Sequence, residues 1–293
     1  MNYNSLNSHL KLKFNKKVYK LALSAVTTCP NRDGTLGSRG CVFCSQLGSG
    51  DFAEPKCNSI TTQIENAKAR VAKKAGESAG YIAYFQSYTN TYAPIDYLTK
   101  TFFDAISHPD IVGLSIATRP DCLGAEVLSL LKSLAKIKPV WVELGLQTIH
   151  KPSIDYIRRG YNNAVYETAV KELHAIGCEV VTHVILGLPN EDTQMMVDTV
   201  KYCVKHKTDG IKLQLLHVLK NTDLATDYEN GMFKTLEMDE YIKIVGECLK
   251  VIPDTVVIHR LTGDGAKRDL IAPTWSADKK RVLNALNSYI AKI

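Results

Sequence analysis

Three cysteines lie within sixteen residues of the chain, at a spacing that suits a metal cluster. Eleven residues separate Cys29 from Cys41, and two separate Cys41 from Cys44. A close C-x-x-C pair and a more distant third thiolate can hold three irons of a cubane, and the fourth iron then stays open to a substrate or cofactor atom. The loop between them is rich in Gly, Asn and Asp, and its backbone N–H groups can donate hydrogen bonds to cluster sulfur.

A zinc site is the main alternative that this spacing leaves open, and a redox disulfide is another. Cys57 lies 13 residues after Cys44 and could complete a four-cysteine set. Structural zinc commonly uses two close cysteine pairs, however, and here only one pair is close. The other cysteines lie in apolar or helical stretches, as buried free thiols commonly do: Cys122, Cys178, Cys203 and Cys248.

The composition excludes several classes of protein. With 293 residues and 45% hydrophobic content, the chain can form one large α/β domain or two ordinary ones. It contains no signal-peptide pattern and no apolar run of membrane-span length, so we expect a cytoplasmic protein without membrane contact. The formal charge of +6 is compatible with nucleic acid but also with ordinary solvated faces. The basic residues form three groups: Lys11, Lys13, Lys16, Lys17 and Lys20; Lys68, Arg70, Lys73 and Lys74; and Lys267, Arg268, Lys279, Lys280 and Arg281.

Short apolar runs alternate with longer amphipathic segments along the chain. Most of the apolar runs are continuous, which is typical of strands buried on both faces of a parallel sheet. The predicted strands cover 21–27, 81–86, 112–117, 140–146, 180–186, 211–217 and 255–259. The predicted helices cover 61–75, 95–107, 125–137, 164–176, 193–206, 238–251 and 277–290. Polar and glycine-rich residues follow the strands, where barrel enzymes place their chemistry. The pattern predicts an α/β fold, a partial (β/α)6-type TIM barrel.

The segment CPNRDG…GCVFC resembles the YtqA/YhcC branch of radical S-adenosylmethionine (SAM) proteins. That branch is related to the radical SAM domain of the Elongator catalytic subunit and to the oxygen-independent coproporphyrinogen oxidases. Further motifs follow in family order: YFQSYTNTYAP, TRPDCL, VWVELGLQT, RRGYN, HVILGLPNED, LQLLHVLKNTDL and HRLTGDG…LIAPTW. Most radical SAM enzymes space their cysteines C-x3-C-x2-C, so the first gap here is a departure. The resemblance implies a single radical SAM domain over 1–293, with its core at about 20–260 and a C-terminal extension at 261–293.

The resemblance also implies cofactors and a reaction. A 4Fe–4S cluster on Cys29, Cys41 and Cys44 would bind SAM at its open iron and cleave it reductively to a 5′-deoxyadenosyl radical. A reduced donor such as flavodoxin or ferredoxin would supply the electron. The family is associated with converting the 5-carboxymethylaminomethyl side chain of the tRNA wobble uridine to 5-aminomethyl, so tRNA is the expected partner. The alternatives are a small-molecule or protein substrate, or a zinc-containing RNA-binding module without catalysis.

Several residues match positions that hold SAM in the related enzymes. Ser87, Tyr88 and Thr89 follow the second predicted strand, and their backbone together with the Thr89 hydroxyl is expected to receive the SAM amino group. Gln147 ends the fourth strand, and its amide can both donate to and accept from a ribose hydroxyl or carboxylate. Arg159 would add a bidentate, charge-assisted grip.

Two further matches lie on and after the fifth strand, where His183 takes a ribose-contact position and Gly187 lets adenine approach the backbone. Glu143 stands in an apolar strand, where a lone carboxylate is costly. It is expected to contact the SAM amine or to pair with Arg119 or Arg159. The candidates for substrate contact and catalysis follow the last strand: Arg260, Asp264 and Lys267.

Overall fold

Seven parallel strands form a curled sheet in this computed structural model, which describes residues 3–57, 59–76, 78–263 and 265–293. The strands are β1 (Val18–Leu23), β2 (Gly80–Phe85), β3 (Ile111–Thr118), β4 (Val140–Gln147), β5 (Glu179–Leu186), β6 (Gly210–Leu215), β7 (Val218–Leu219), β8 (Val257–Arg260) and β9 (Leu270–Ala272). The helices are α1 (Leu6–Phe14), α2 (Ile60–Ala75), α3 (Ile95–Ser107), α4 (Ala125–Ala135), α5 (Lys151–Tyr156), α6 (Asn163–Ala175), α7 (Thr193–Lys205), α8 (Asp223–Glu229), α9 (Met238–Lys250) and α10 (Lys279–Ile290).

The strand order of the large sheet is β1-β2-β3-β4-β5-β6-β8, and each neighbouring pair is parallel. Since β1 and β8 stand at opposite ends of this order, the barrel is open and forms a half-barrel. The predicted partial TIM barrel is therefore confirmed, with seven parallel strands rather than six. Strands β7 and β9 pair separately as a short antiparallel ribbon.

Local chemistry explains where the barrel helices begin. The side chains of Ser59, Asn162 and Asp192 each accept a hydrogen bond from a backbone N–H in the first turn of α2, α6 and α7. Such N-caps satisfy amide groups that the helix itself cannot pair. In α9 a capping box joins Glu237 and Glu240. These helices pack their apolar faces on the outside of the sheet and leave its inner face to the interior of the barrel.

The interior of the barrel is layered along the strands. The layer at the amino-terminal end is apolar and contains Ile82, Trp141 and Val181, with Leu10 of α1 packed against them. Side chains alternate along a strand, so the residues two positions later point the same way. They form a second layer of polar residues, which we call the polar belt: Lys20, Tyr84, Ser115, Glu143, His183 and Lys212. Above the belt, at the carboxyl ends of the strands, the barrel opens into a cavity.

Helix α1 lies across the opening between the two edges of the sheet and contacts both β1 and β8. Just before it, the backbone N–H of Ile258 donates to Asn4 O at 2.7 Å, and Ser5 pairs with Ile258 in an isolated parallel bridge. The sequence analysis did not predict this helix. Within the described ranges, no helix combines the length and the apolar character needed to cross a membrane.

Candidate active site

The cavity at the carboxyl ends of the strands gathers side chains from every part of the half-barrel. Three cysteines of the loop after β1 line one side of it. The strands and the loops that follow them supply the opposite walls. The polar side chains on these walls include Thr89, Arg119, Gln147, His183, Gln214 and Arg260. The cavity therefore brings together most of the polar residues singled out from the sequence, at the end of the barrel where they were expected.

The cysteine loop is held in shape by its own backbone and by one arginine. The N–H of Arg32 donates to Cys29 O at 2.8 Å, and the N–H of Cys44 donates to Cys41 O at 3.1 Å. The guanidinium of Arg32 then donates to the carbonyl oxygens of Cys44 and Ser45, at 3.1 and 2.6 Å. Arg32 thus ties the two arms of the loop together. These hydrogen bonds hold Cys29, Cys41 and Cys44 on one short loop beside the cavity.

Asn31 makes hydrogen bonds to two of the three sulfurs. Its backbone N–H donates to Cys29 Sγ and its Nδ2 donates to Cys41 Sγ, each at 3.4 Å. Nδ2 also donates to Arg158 O at 2.6 Å, which anchors the loop to the turn after α5. Hydrogen bonds to ligand sulfur raise the potential of an iron–sulfur centre and orient its ligands. Asn31 is therefore an additional site residue.

The distances between the three sulfurs distinguish a cluster site from a zinc site. At least one pair among Cys29, Cys41 and Cys44 has its sulfurs more than 4.8 Å apart. Thiolates on one zinc ion lie at most about 4.6 Å apart, because the Zn–S bond is about 2.3 Å. On a cubane, each thiolate binds a different iron and can stand farther away. The described sulfurs thus fit a cubane better than a single zinc ion. Burial raises the pKa of Cys41 to about 12, so binding of a metal must release protons.

Gln147 presents an unsatisfied group to the cavity. It has a φ of 62° at the end of β4, and its Oε1 is buried without a hydrogen-bond partner among the described residues. A buried acceptor without a donor is costly unless a ligand supplies the donor. Thr89 is also buried at the cavity wall. Both side chains fit a ligand that carries hydroxyl and amino groups, as SAM does.

Ser87 and Tyr88 are largely committed to packing against the cysteine loop. The Ser87 hydroxyl lies 3.0 Å from that of Ser24. The N–H of Tyr88 donates to Gly48 O at 2.8 Å, and its hydroxyl donates to Gln46 O at 2.7 Å. Of the three residues expected to receive the SAM amino group, Thr89 is the one whose side chain remains available.

Arg159 is buried and saturated by protein acceptors. Its five N–H groups donate to Leu146 O, Thr148 O, Asn163 Oδ1 and, twice, Tyr161 O, at 2.7–3.0 Å. No donor of the guanidinium is left for the bidentate grip expected of it. Arg159 therefore positions the end of β4 and with it the neighbouring Gln147.

Arg119 also lines the cavity, where it pairs with a neighbouring carboxylate. Its Nε and Nη2 donate to the two carboxylate oxygens of Asp121, at 2.9 and 2.7 Å, and its guanidinium lies 5.0 Å from the ring centroid of Tyr161. Its charge acts to lower the pKa of Cys41. The ATRPD motif after β3 was the signal in the sequence, but there Arg119 was considered only as a partner of Glu143.

Glu143 is fully buried in the polar belt and has four partners. Its carboxylate accepts from Lys20 Nζ at 2.7 Å, Ser115 Oγ at 2.6 Å, His183 Nε2 at 2.7 Å and Lys212 Nζ. The expected pairing with Arg119 or Arg159 was wrong, because the inward positions of β1 and β6 bring lysines to the same carboxylate. Glu143 lines the cavity floor, yet its oxygens are occupied by the belt.

The belt sets the ionisation of its members. Burial alone would raise the pKa of Glu143, but the charges of Lys20 and Lys212 hold that pKa well below its ordinary value. Burial, together with the charge of Lys212, lowers the pKa of His183 to about 4. His183 is therefore neutral at pH 7. We assign its proton to Nε2 because that nitrogen faces a carboxylate.

The remaining predicted residues divide between the cavity and its surroundings. Arg260 lines the cavity, whereas Lys267 is exposed outside it. Asp264 lies outside the described residues. A β-carbon on Gly187 would lie 2.9 Å from Leu236 Cδ1, so this glycine, with φ 93°, makes room for that side chain. Gly187 does not line the cavity, and the expected contact with adenine has no support there.

The basic groups lie at two ends of the barrel. The lysines at 16–17 precede β1 and those at 73–74 end α2, so both pairs lie at the amino-terminal edge of the sheet, opposite the cavity. Lys267 and Arg268 instead follow Gly265, which lines the cavity. Lys267 and Arg268 therefore lie nearer the mouth of the cavity than the lysine pairs at 16–17 and 73–74.

Comparison with known proteins shows which family the chain belongs to. The model of the Radical SAM superfamily matches residues 29–203, and that of the Radical_SAM C-terminal domain matches 208–292. The chain is 43% identical over 285 residues to the uncharacterized protein YtqA of Bacillus subtilis, covering 97% of this chain and 88% of that protein. It is 35% identical over 288 residues to protein YhcC of Escherichia coli, covering 98% and 92%.

More distant similarity reaches named tRNA proteins. The tRNA uridine(34) acetyltransferase of Methanocaldococcus jannaschii is 28% identical over 156 residues, which is 52% of this chain and 28% of that protein. Among solved structures, the archaeal Elp3 of Methanocaldococcus infernus superposes with a TM-score of 0.71 at 17% identity, covering 94% of this chain and 63% of that chain. At that identity the superposition supports the fold alone.

Proposed function

Because the chain belongs to the radical SAM superfamily, whose cofactors are a 4Fe–4S cluster and SAM, we propose that it modifies tRNA at the wobble uridine. The proposed reaction removes the carboxymethyl group from the 5-carboxymethylaminomethyl side chain and leaves 5-aminomethyl; with SAM as the oxidant and water as co-reactant, the two carbons would leave as glyoxylate. Support for the RNA substrate comes from the relatives named tRNA uridine(34) acetyltransferase, which match about half of this chain. Support for the chemistry comes from the cavity, which combines a three-cysteine cradle with a polar, enclosed floor.

In this proposal the two cofactors occupy the β1–β5 side of the cavity. Cys29, Cys41 and Cys44 would hold the cluster, and Thr89, Gln147 and Arg119, which line the same cavity, would bind SAM. Together the cluster and SAM supply one-electron reduction and radical hydrogen abstraction, with an external donor such as flavodoxin or ferredoxin providing the electron. The protein orients these groups and shields them from water.

The protein's own residues perform the orienting. Arg32 fixes the cysteine loop, and Asn31 donates to two sulfurs. Arg159 holds the end of β4 so that the Gln147 amide faces the cavity. His183 is locked to Glu143 through Nε2, which leaves its Nδ1 as an acceptor for a ligand hydroxyl. The neutral His183 cannot serve as an acid at pH 7.

We expect Gln147→Asn and Arg119→Ala to weaken SAM binding about ten- to a hundredfold, the usual effect of losing a charged or buried polar contact. Asn tolerates the positive φ at position 147, so the backbone is spared. Equilibrium dialysis against the cluster-loaded protein measures the affinity, and iron content checks the cluster. The exposed amide variant Gln194→Ala is the control. Unchanged affinity in both site variants would place SAM elsewhere.

The tRNA proposal predicts that reversing charges at the cavity end of the barrel weakens RNA binding, whereas the same change at the opposite end does not. Lys267→Glu/Arg268→Glu should weaken RNA binding and make the salt dependence shallower. Each lost phosphate contact removes roughly 0.7–0.9 from the slope of log K against log salt. Lys16→Glu/Lys17→Glu makes the same charge change at the opposite end and should leave binding nearly unchanged. Equal losses in the two variants, measured with an anticodon stem-loop, would argue for nonspecific attraction.

Nucleoside mass spectrometry of bulk tRNA from a deletion strain tests the function itself. We expect the 5-carboxymethylaminomethyl form to accumulate at the wobble position and the 5-aminomethyl form to disappear. Expression of the wild-type chain should restore the 5-aminomethyl form, and a Cys41→Ala variant should not. An unchanged wobble uridine would instead favour a small-molecule or protein substrate.

A further inference from the structure

The wall of the cavity formed by β6 and β8 contains a cation that has no anionic partner among the residues the structure describes. Arg260 ends β8 and Gln214 lies near the end of β6, and both line the cavity. Among the described residues, Arg260 makes one hydrogen bond, from Nη1 to Gln214 Oε1 at 3.3 Å. No described carboxylate forms an ion pair with it. The guanidinium therefore has N–H groups available to a ligand.

The surroundings of Arg260 carry an excess of positive charge. In register, Arg260 is the β8 partner of Lys212, which belongs to the polar belt. Lys20 and Lys212 share the carboxylate of Glu143, and His183 is neutral. Even without Lys212, whose pKa is lowered well below its ordinary value by burial, the cations Lys20 and Arg260 outnumber the single carboxylate of Glu143 at the floor of the cavity. Partly buried cations are stabilised by a nearby anion, so the floor is poised to accept one.

We infer that Arg260 and Gln214 form a binding site for the carboxylate of the substrate. The fork of a guanidinium matches the two oxygens of a carboxylate, and the Nε2 group of Gln214 can add a third donor. The inference rests on the proposed function for the identity of that substrate, whose carboxymethylamino arm ends in a carboxylate. Loss of the carboxymethyl group, with the amine nitrogen kept on the nucleoside, would remove the anion and weaken the binding of the product.

The position of this site is separate from the proposed cofactor positions. The cysteine loop follows β1, and Thr89 and Gln147 follow β2 and end β4. Arg260 and Gln214 stand on the other side of the half-barrel, since β6 and β8 end the strand order. A substrate held there by its carboxylate would occupy the same cavity as the cysteine loop, on contacts that the proposed cofactor residues do not use. Lys212 is less suited to this contact because Glu143 already occupies it.

The test compares nucleosides that differ only at the carboxylate. The probes are 5-carboxymethylaminomethyluridine, its methyl ester and 5-aminomethyluridine, titrated calorimetrically into cluster-loaded, SAM-bound protein. Wild type should bind the carboxylate form about ten- to a hundredfold more tightly than the ester. Arg260→Gln should bring that ratio close to one. Arg260→Lys, which keeps the charge but loses the fork, should retain only part of it. Arg39→Gln, an exposed arginine, is the matched control and should keep the full ratio.

Iron content and SAM affinity confirm that each variant is intact, and Gln214→Leu gives a second variant should Arg260→Gln lose its cluster. Equal binding of acid and ester by wild type would overturn the inference, as would a preference that survives in Arg260→Gln and Gln214→Leu. Displacement of the acid by inorganic phosphate at similar concentration would assign the site to phosphate instead.

An anticodon stem-loop carrying each side chain separates this inference from the proposed function. One outcome is that the nucleoside acid binds more tightly than its ester, that Arg260→Gln abolishes this preference, and that the stem-loop binds no better than the nucleoside. The carboxylate site then stands and the tRNA proposal fails. If the stem-loop binds tightly and the carboxylate makes no difference, the tRNA proposal stands and the carboxylate site fails.

Discussion

Replacement of Cys41 by Ala is expected to remove nearly all iron and the visible absorbance of the purified protein. Each of Cys29, Cys41 and Cys44 supplies one ligand in our proposal, and a cubane with two protein thiolates has lost a third of its anchoring. Cys41 also receives the Asn31 hydrogen bond, so its loss removes an orienting contact as well. Iron analysis and absorption spectra of anaerobically reconstituted protein measure the effect. We expect equally low iron in the Cys29→Ala and Cys44→Ala variants.

Two other cysteines provide controls for this result. Cys57 is exposed, and its Sγ donates to Ser59 O at 3.2 Å, away from the cavity lining. Cys122 is partly buried next to Arg119 and also does not line the cavity. Cys57→Ala and Cys122→Ala should keep full iron. If Cys57→Ala lost as much iron as Cys41→Ala, the three-thiolate assignment would be wrong.

Replacement of Glu143 by Gln should destabilise the fold by about 3–5 kcal/mol, the usual cost of leaving a buried charge without its partner. The substitution keeps the size of the side chain but leaves Lys20 and Lys212 without their shared carboxylate. Urea unfolding of the anaerobic protein, followed by tryptophan fluorescence, reports the free energy of unfolding. Asp104→Asn, which breaks an exposed pair with Lys100, should cost less than about 1 kcal/mol.

The stabilisation that Glu143 provides should be lost at low pH and not at high pH. Since the folded pKa of Glu143 lies below its unfolded value of about 4.3, its stabilisation is complete above that pH and is lost as the pH falls through the folded pKa. The contribution of the Glu143 carboxylate to the stability of the wild-type protein should therefore be constant from pH 8 to about pH 5. Adding Lys212→Met to Glu143→Gln should recover part of the loss, because one unpaired cation disappears. A difference below 1 kcal/mol at pH 7 would contradict this account of the belt.

The continuous apolar strands made most of the barrel predictable. Helix α3 coincides with the predicted 95–107, and β4 and β5 were predicted to within one residue at each end. The first strand was predicted three residues too late, at 21–27, because polar Tyr19 and Lys20 interrupt the apolar pattern. Helix α1 was missed because lysines alternate with apolar residues over 10–14, which hides the short face that packs on Trp141 and Ile82, formed by Leu6, Leu10 and Phe14.

The parts of the candidate site that could be predicted are those whose residues all lie in one short segment of the sequence. The three cysteines and the ATRPD motif are local and could be recognised from their spacing. The polar belt could not, since its members come from six strands and each looks like an isolated polar residue in an apolar run. Likewise, nothing in the sequence indicates that Arg159 donates four hydrogen bonds to backbone oxygens and a fifth to the Asn163 side chain. Such facts depend on which strands become neighbours.

The open seam of the half-barrel has a consequence for solubility. A sheet that does not close leaves rows of unpaired peptide groups at β1 and β8, and such edges template self-association. Here the backbone of residues 4–5 pairs with Ile258, and α1 lies between the two edges. The segment before β1 thus works as a guard against edge-to-edge polymerisation. Its removal should produce protein that keeps its cysteine loop but aggregates with time and concentration.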